Sequence, residues 1–216
     1  RLSDEGASLF RLNLSHIKEN ELEKLVNYVR QFTEVPICID TEGAQIRTGD
    51  IDTKEISFDA DSIVSIPVKK ILGNYKNFNL YPSYIIHELK IGDLITVDFN
   101  SVIIQIISKN KFRVKARILN AGKIGQNKAV SLERKIDLQP LTDKDIKCLE
   151  IGKKIGIENI ALSFANRKED VELIKKHCIK NASIISKIEC LNGLINLDEI
   201  IEMSDSILID RGDLSR

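Results

Sequence analysis

Short apolar runs alternate along this chain with longer segments that carry apolar residues at helical spacing. In residues 1–50 and 136–216 this alternation predicts strands separated by helices. Because the runs are apolar at nearly every position, both faces of their sheet should be covered, as in a parallel α/β sheet. The predicted strands lie near 9–13, 35–39, 159–164, 183–188 and 206–209, and the predicted helices cover 18–32, 143–154, 170–180 and 197–203.

The middle of the chain, residues 51–135, has a different pattern. It contains strand-like runs joined by turn-forming residues such as Asn110 and Gly122, and it has no convincing amphipathic helix. The clearest predicted strands are 62–68, 94–99, 102–108 and 112–119. We therefore predict an all-β domain inserted between two parts of an α/β domain.

Two architectures fit the outer parts, an open doubly wound sheet and a (β/α)8 TIM barrel. The sequence has neither a GxGxxG motif nor a GxxxxGK[ST] motif, which disfavours an open nucleotide-binding sheet. We predict a partial TIM barrel with an inserted β domain. Such a barrel usually needs about 250 residues, so roughly three βα units should lie outside this chain.

The composition argues against some classes of binding partner but does not identify a partner. Lys and Arg together number 32, as do Asp and Glu, so no net charge favours nucleic acid or a membrane surface. The four cysteines lack metal-binding spacing and are expected to be buried thiols in a reducing compartment. No apolar run approaches membrane-spanning length, and no signal peptide is visible at the start, so we expect a cytoplasmic protein.

Polar clusters follow the predicted strands at several points. They comprise residues 11–16, 40–41, 186–189 and 211–213. Parallel α/β folds place their sites at the carboxyl ends of strands, so we expect these clusters to meet in one site.

The charged members of these clusters indicate a site for a phosphorylated, enolisable acid. Glu189 and Asp213 are carboxylates of the kind that hold a hard divalent cation. Lys187 lies two positions before Glu189 and should share its face of the strand. Arg11 adds a planar donor group that matches phosphate. Any one of these residues taken alone is more often an ordinary solvated charge.

A second group offers oxygen donors with little charge. Its members are Asn13, Ser15, Asp40 and Thr41. One negative charge among four donors is poorly suited to magnesium and better suited to a monovalent cation.

Taken together, the sequences of these clusters resemble the motifs of the pyruvate kinase family. Arg11-Leu-Asn-Leu-Ser-His16 resembles the family's RLNFSHG, and Ile39-Asp-Thr-Glu-Gly-Ala-Gln-Ile-Arg-Thr-Gly49 resembles LDTKGPEIRTG. The segments 163–164, 185–189 and 209–214 follow in family order, and within the insert 97–98 and 125–132 have counterparts. The resemblance covers nearly the whole chain.

This resemblance implies a (β/α)8 barrel with a β-domain lid, which transfers phosphoryl from phosphoenolpyruvate to ADP in glycolysis. It implies Mg²⁺ or Mn²⁺ and K⁺ as cofactors, and a homotetramer without nucleic-acid or membrane partners. Substrate contacts would come from Arg11, Lys187, Gly212 and Asp213, with Lys187 and Arg11 catalytic. Nucleotide contacts would come from Arg47, Lys128 and His16. The divalent ion would be held by Glu189 and Asp213, and K⁺ by Asn13, Ser15, Asp40 and Thr41.

The chain departs from the family pattern at several positions, which keeps two other hypotheses open. Glu42 stands where the family has Lys, Gln45 where it has Glu, and Asp210 where it has a small residue. The lid motif GVNLPG is replaced by residues 129–134, which lack its Gly and Pro. One alternative is a pyruvate kinase-like protein with weakened catalysis that binds a ligand or partner. The other is a different metal-dependent barrel enzyme that handles enolpyruvate.

Overall fold

The computed structural model describes residues 2–98 and 101–214. In chain order, the strands are β1 (Phe10–Asn13), β2 (Ile37–Asp40), β3 (Ile46–Thr48), β4 (Glu55–Phe58), β5 (Ile63–Pro67), β6 (Leu80–Tyr81), β7 (Leu94–Val97), β8 (Val102–Lys109), β9 (Arg113–Ile118), β10 (Gly122–Gly125), β11 (Ala129–Leu132), β12 (Asn159–Leu162), β13 (Ser183–Ile188) and β14 (Ser206–Ile209). The α-helices are α1 (Leu22–Arg30), α2 (Ile85–Glu88), α3 (Asp143–Lys154), α4 (Lys168–His177), α5 (Leu191–Ile195), α6 (Leu197–Met203) and α7 (Arg211–Leu214).

The chain divides into two compact units, and the first is the α/β unit formed by 1–44 and 139–216. Its described strands make a parallel sheet in the order β1-β2-β12-β13-β14. The core contains Ile39 and Leu162 from the strands and Val26, Leu149 and Ile174 from the helices. Burial of β2, β12 and β13 explains their nearly continuous apolar sequence, whereas β1 is only partly buried and most of β14 is exposed.

Helix α3 starts where its sequence predicts. The side chain of Thr142 accepts a hydrogen bond from the Asp145 N–H, and the side chain of Asp145 accepts one from the backbone N–H of Thr142. This reciprocal capping box satisfies two N–H groups that the helix itself cannot. The predicted start of this helix at residue 143 is therefore confirmed, and Asp145 is fully buried.

The second unit is formed by 45–138 and is built mainly from antiparallel strands. Seven of the described strands pair in the order β5-β9-β8-β7-β11-β3-β6, and β4 pairs with β10. Its core is largely aliphatic, with Phe58 and Phe78 in edge-to-face contact at 5.9 Å between ring centres. The unit has its own core, as expected for a separate domain.

The inserted unit is larger than the predicted 51–135. Strand β3 pairs with β6 and β11, which places the segment from Gln45 inside the β unit. Three residues are too short for a strand to be recognised from alternation, so the sequence pattern gave no signal there. The short helix α2 also lies in this unit, where no helix was predicted, and it buries Ile85 and Ile86.

Predicted elements of the α/β unit differ from the structure mainly at their ends. Residues Glu19–Glu21 form a 3-10 turn, and α1 starts only at Leu22. The predicted helix over 170–180 begins two residues earlier and stops at His177, after which Cys178 is extended. Strand β7 ends at Val97, and Phe99, the last residue of its predicted range, lies outside the described residues.

Candidate active site

Lys187, near the end of β13, lies at the centre of a buried polar cluster in the α/β unit. Its Nζ atom donates a hydrogen bond to Oγ of Ser163 at 3.0 Å and lies 2.9 Å from Oε1 of Glu189 and 3.3 Å from Oδ1 of Asp40. These side chains come from β2, β13 and the residues that follow β12 and β13. The predicted meeting of strand ends is therefore present for these residues.

Two carboxylates compensate the buried ammonium group of Lys187. Asp40 and Glu189 are each almost fully buried, and Lys187 itself is only 6% exposed. A buried charge is tolerated when it is paired and hydrogen-bonded. Ser163 strengthens the arrangement because its hydroxyl donates to Asp40 at 3.1 Å and accepts from Lys187.

Glu189 is held from a second side by the main chain. Its Oε2 atom accepts a hydrogen bond from the Phe164 N–H at 2.7 Å. Phe164 has a φ of 52°, a left-handed conformation that is uncommon outside glycine. Burial raises the pKa of Glu189, whereas Lys187 and the Phe164 N–H lower it.

Beside Lys187, three carboxylates lie close enough together to hold a metal ion. One oxygen each from Glu189, Asp210 and Asp213 falls within 4.8 Å of the others. Oxygen ligands of this type and number suit Mg²⁺ or Mn²⁺. Asp210 also accepts a hydrogen bond from the Gly212 N–H at 3.0 Å, so it caps the short helix α7. The donor set therefore fits a hard divalent cation.

Arg11 lies next to this cluster on the neighbouring strand. Its Nη1 atom is 3.1 Å from Oδ2 of Asp40, and half of its side chain is exposed, at 49%. Asp40 thus faces two cationic groups, Arg11 and Lys187. Because Arg11 is accessible and its ion pair is partly solvated, the guanidinium can also face an anion from solution.

The four predicted monovalent-cation donors come from two neighbouring strand ends. Asn13 and Asp40 are register partners of the parallel pair β1 and β2. The Asn13 side chain accepts a hydrogen bond from the Ser15 N–H at 2.8 Å, and the Thr41 hydroxyl accepts one from Ser163 N–H. With Asp40 already facing two cations, this donor set suits a singly charged ion better than a divalent one.

The loop after β2 is packed tightly against the strand end that follows β12. Gly43 has a φ of 73°, and a Cβ atom there would lie 2.5 Å from the carbonyl oxygen of Ser163. Only glycine combines this conformation with this close approach. Asp145 fixes the loop further by accepting hydrogen bonds from the N–H groups of Glu42, at 2.7 Å, and Gly43, at 3.1 Å.

The predicted nucleotide-binding residues are divided between the units. His16 is exposed at the end of a 3-10 turn in the α/β unit. Arg47 and Lys128 belong to the β unit, where the pairing of β3 with β11 brings them near each other. Arg47 donates to the carbonyl of Asn127 at 2.7 Å, and Lys128 forms an ion pair with Asp98 at 3.0 Å.

Sequence reasoning assigned no role to three polar residues that shape this cluster. Ser163 bridges Asp40 and Lys187, Asp210 joins the carboxylate group, and Asp145 holds the loop after β2. Ser163 could have been found, since it follows an apolar strand as the other clusters do. Asp145 could not, because it lies in a helix far along the chain from the loop that it binds.

The fold and the cluster together define a class of protein: an α/β domain of parallel strands with an inserted β unit and a lysine–carboxylate centre at the strand ends. The family profile described as the barrel domain of pyruvate kinase matches residues 1–215. The chain therefore belongs to the pyruvate kinase family. Within the described residues, no helix is both long and apolar enough to cross a membrane.

Curated relatives agree with this assignment. A pyruvate kinase of Thermotoga maritima is 32% identical over 99% of this chain and 48% of its own length. Pyruvate kinases of Staphylococcus haemolyticus and Geobacillus stearothermophilus are 31% and 30% identical over 99% of this chain, and 39% and 38% of their own lengths. The chain thus spans less than half the length of these relatives.

Proposed function

We propose that the protein containing this chain is a cytoplasmic pyruvate kinase, which transfers phosphoryl from phosphoenolpyruvate to ADP and yields pyruvate and ATP. The observation that carries the proposal is the buried Lys187 held by Glu189, Asp40 and Ser163. Phosphoryl transfer depends mostly on positioning and on charge stabilisation. A lysine fixed by three neighbours supplies both.

In this proposal, Lys187 and Arg11 bind the phosphoryl group. Lys187 faces the transferred group as a fixed positive charge, and its rigid surroundings reduce the reorganisation needed at the moment of transfer. Arg11 turns from Asp40 toward the phosphate, which its exposure permits. The backbone of Gly212 contacts the substrate next to Asp213.

The divalent cation, Mg²⁺ or Mn²⁺, would be held by Glu189 and Asp213. When bound, it supplies a Lewis acid for the enolate that remains after phosphoryl transfer. Potassium would be held by Asn13, Ser15, Asp40 and Thr41. Glu189 lies between two positive charges, Lys187 and the divalent cation. Its negative charge therefore reduces the repulsion between them.

Arg47 and Lys128 of the β unit, together with His16, would contact the nucleotide. We propose that the β unit acts as a lid, because a labile phosphoryl group must be protected from water during transfer. The remaining strands of a (β/α)8 barrel and a homotetrameric assembly are further parts of this proposal. The greater length of the curated relatives supports the first part, since this chain covers 48% and 39% of two of them. The homotetramer rests on the resemblance to the family alone.

The test is coupled pyruvate formation by the full-length protein with phosphoenolpyruvate, ADP, Mg²⁺ and K⁺. Lys187→Met should lower kcat by at least about a thousandfold, because a charge aimed at the transferring group is removed. Lys153→Met is the matched control, since Lys153 is exposed on α3. Full-length protein that turns over no faster than Lys187→Met would overturn the proposal.

A second candidate function is a protein that binds phosphoenolpyruvate without turnover. The observation favouring it is Asp210, which adds a third carboxylate beside Glu189 and Asp213 and increases negative charge where an anionic substrate must enter. Calorimetry with phosphoenolpyruvate and Mg²⁺ separates the two candidates. Tight binding without pyruvate formation supports the second, and ordinary turnover removes it. Product analysis with phosphoenolpyruvate alone tests for a different enolpyruvate-handling enzyme.

A further inference from the structure

The first turn of α3 joins the two loops that carry the proposed monovalent-cation donors. Lys144 donates from Nζ to the carbonyl oxygen of Leu14 at 2.5 Å and to Oε1 of Glu42 at 2.8 Å. Leu14 lies between Asn13 and Ser15, and Glu42 directly follows Thr41. One ammonium group therefore connects both pairs of donors.

This connection is well shielded from water. The side chains of Glu42 and Lys144 are only 10% and 25% exposed, so their attraction is screened less than that of a surface pair. The Thr142 hydroxyl lies 3.4 Å from the other carboxylate oxygen of Glu42. Both oxygens of Glu42 are therefore directed to α3, and the pair has a defined geometry.

The backbone of the same loop is anchored independently. Asp145, the residue after Lys144, accepts hydrogen bonds from the N–H groups of Glu42 and Gly43. On the other loop, the Leu14 side chain is fully buried in the core. One loop is thus anchored by Asp145 and the other by the buried side chain of Leu14. Lys144 lies where it can set the distance between them.

We propose that Lys144, through its ion pair with Glu42, is a positioning residue for the monovalent-cation site. The inference rests on the proposed function, which assigns K⁺ to Asn13, Ser15, Asp40 and Thr41. A cation with little charge gains a small energy from each oxygen, so its affinity depends on having the oxygens already spaced to receive it. Removing the Lys144–Glu42 ion pair allows the two loops to separate, and this weakens binding of the monovalent cation.

The test measures monovalent-ion binding directly, with thallous ion as the probe, by thallium NMR titration of the full-length protein. Lys144→Met should raise the thallous dissociation constant at least tenfold, about 1.4 kcal/mol. Lys144→Arg should restore binding to within about threefold of the original protein, because it keeps the charge and the donors. Glu42→Gln should weaken binding in the same direction.

The matched control is Lys147→Met. Lys147 lies on the same helix and pairs with Glu19 at 3.3 Å, but both side chains are largely exposed. Thallous binding should change less than twofold in this variant. In the double variant Lys144→Met with Glu42→Gln, binding should be no weaker than in Lys144→Met alone, because the two residues act as one unit.

A second readout separates positioning from general damage. In the kinase assay, Lys144→Met should raise the half-saturating K⁺ concentration at least tenfold, while kcat at saturating K⁺ stays within about threefold. Thallous binding that is unchanged in Lys144→Met, or weakened equally in Lys147→Met, would overturn the inference. If Lys144→Met fails to fold, Glu42→Gln against Lys147→Met decides the question.

The outcomes for this inference and for the proposed function are distinct. Thallous binding requires no turnover, so a protein that binds the ion and transfers no phosphoryl group contradicts the kinase proposal alone. Absence of thallous binding in a catalytically active protein contradicts the inference and the potassium assignment on which it rests, and leaves the proposed phosphoryl transfer standing.

Discussion

The Nζ atom of Lys187 lies 2.9 Å from Oε1 of Glu189, and both side chains are almost completely buried. Asp40 and Ser163 complete the surroundings of the ammonium group. Because these charged groups are buried together, the free energy of unfolding should depend strongly on each of them.

Lys187→Met should therefore destabilise the fold as well as abolish the proposed activity. It leaves Glu189 and Asp40 buried with less positive charge, and removing one partner of a buried pair costs about 3–5 kcal/mol. Urea unfolding at neutral pH measures the loss. Lys153→Met, exposed on α3, should change the free energy of unfolding by less than about 0.5 kcal/mol. A loss in Lys187→Met as small as that of the control would contradict the expectation.

The same variant should make stability more dependent on pH. Burial raises the pKa of Glu189 above its ordinary value of 4.5, and Lys187 opposes that rise. A carboxyl group with a raised pKa contributes stability that is present at low pH and is lost as pH increases through the folded pKa. Without Lys187 the pKa rises further, so Lys187→Met should lose more stability than the original protein as the pH increases above 4.5. Adding Glu189→Gln to Lys187→Met should remove the extra slope, and a slope that persists would assign it to another group.

Gly43→Ala should be much more damaging than Gly156→Ala. Both glycines have left-handed φ values, 73° and 70°, so each substitution carries a backbone cost of about 1–2 kcal/mol. Only at Gly43 would the new Cβ also meet backbone, at 2.5 Å from the Ser163 carbonyl oxygen, whereas nothing lies within 4 Å at Gly156. Thermal unfolding should show a clearly larger drop for Gly43→Ala. Equal drops would show that the loop after β2 can move away from Ser163.

Cysteine alkylation of the folded protein should be selective for Cys190. Burial, reinforced by Asp40, raises the pKa of Cys38 to about 12, and burial raises those of Cys148 and Cys178 to about 11. At pH 8 these thiols are almost entirely protonated and unreactive. Cys190 is only partly buried. Mass spectrometry after brief iodoacetamide treatment should find label mainly on Cys190, and all four sites should react in denaturant. Early labelling of Cys38 would contradict its burial.

Local sequence was informative where an element is long and regularly patterned. Helix α3, helix α6 and strand β14 occupy the ranges that their apolar spacing predicts. It was uninformative for short elements such as β3 and β6, which exist because neighbouring strands supply hydrogen-bond partners. Tertiary context overrides weak local preference in such segments.

The candidate site shows the same division. Lys187 and Glu189 could be placed on one face of a strand, since residues two apart point the same way. The Nζ atom of Lys187 lies 3.3 Å from Asp40 only because of the strand order β2-β12-β13, and no local pattern encodes that order.

Glu42 is a clearer example of a residue that the sequence alone could not explain. Its charge looked like a departure from the family pattern, and in the fold it is the partner of Lys144.

The sequence by itself determined the alternating α/β character, the inserted β unit, the family, and which residue types stand at the strand ends. The tertiary structure decided how those ends combine. Ser163 lies between Asp40 and Lys187. Lys144 contacts Leu14 and Glu42, which are 130 and 102 positions away along the chain. The physical reason is that propensity and periodicity act over a few neighbouring residues. Ion pairs and close packing join residues that only strand order and helix docking bring within reach.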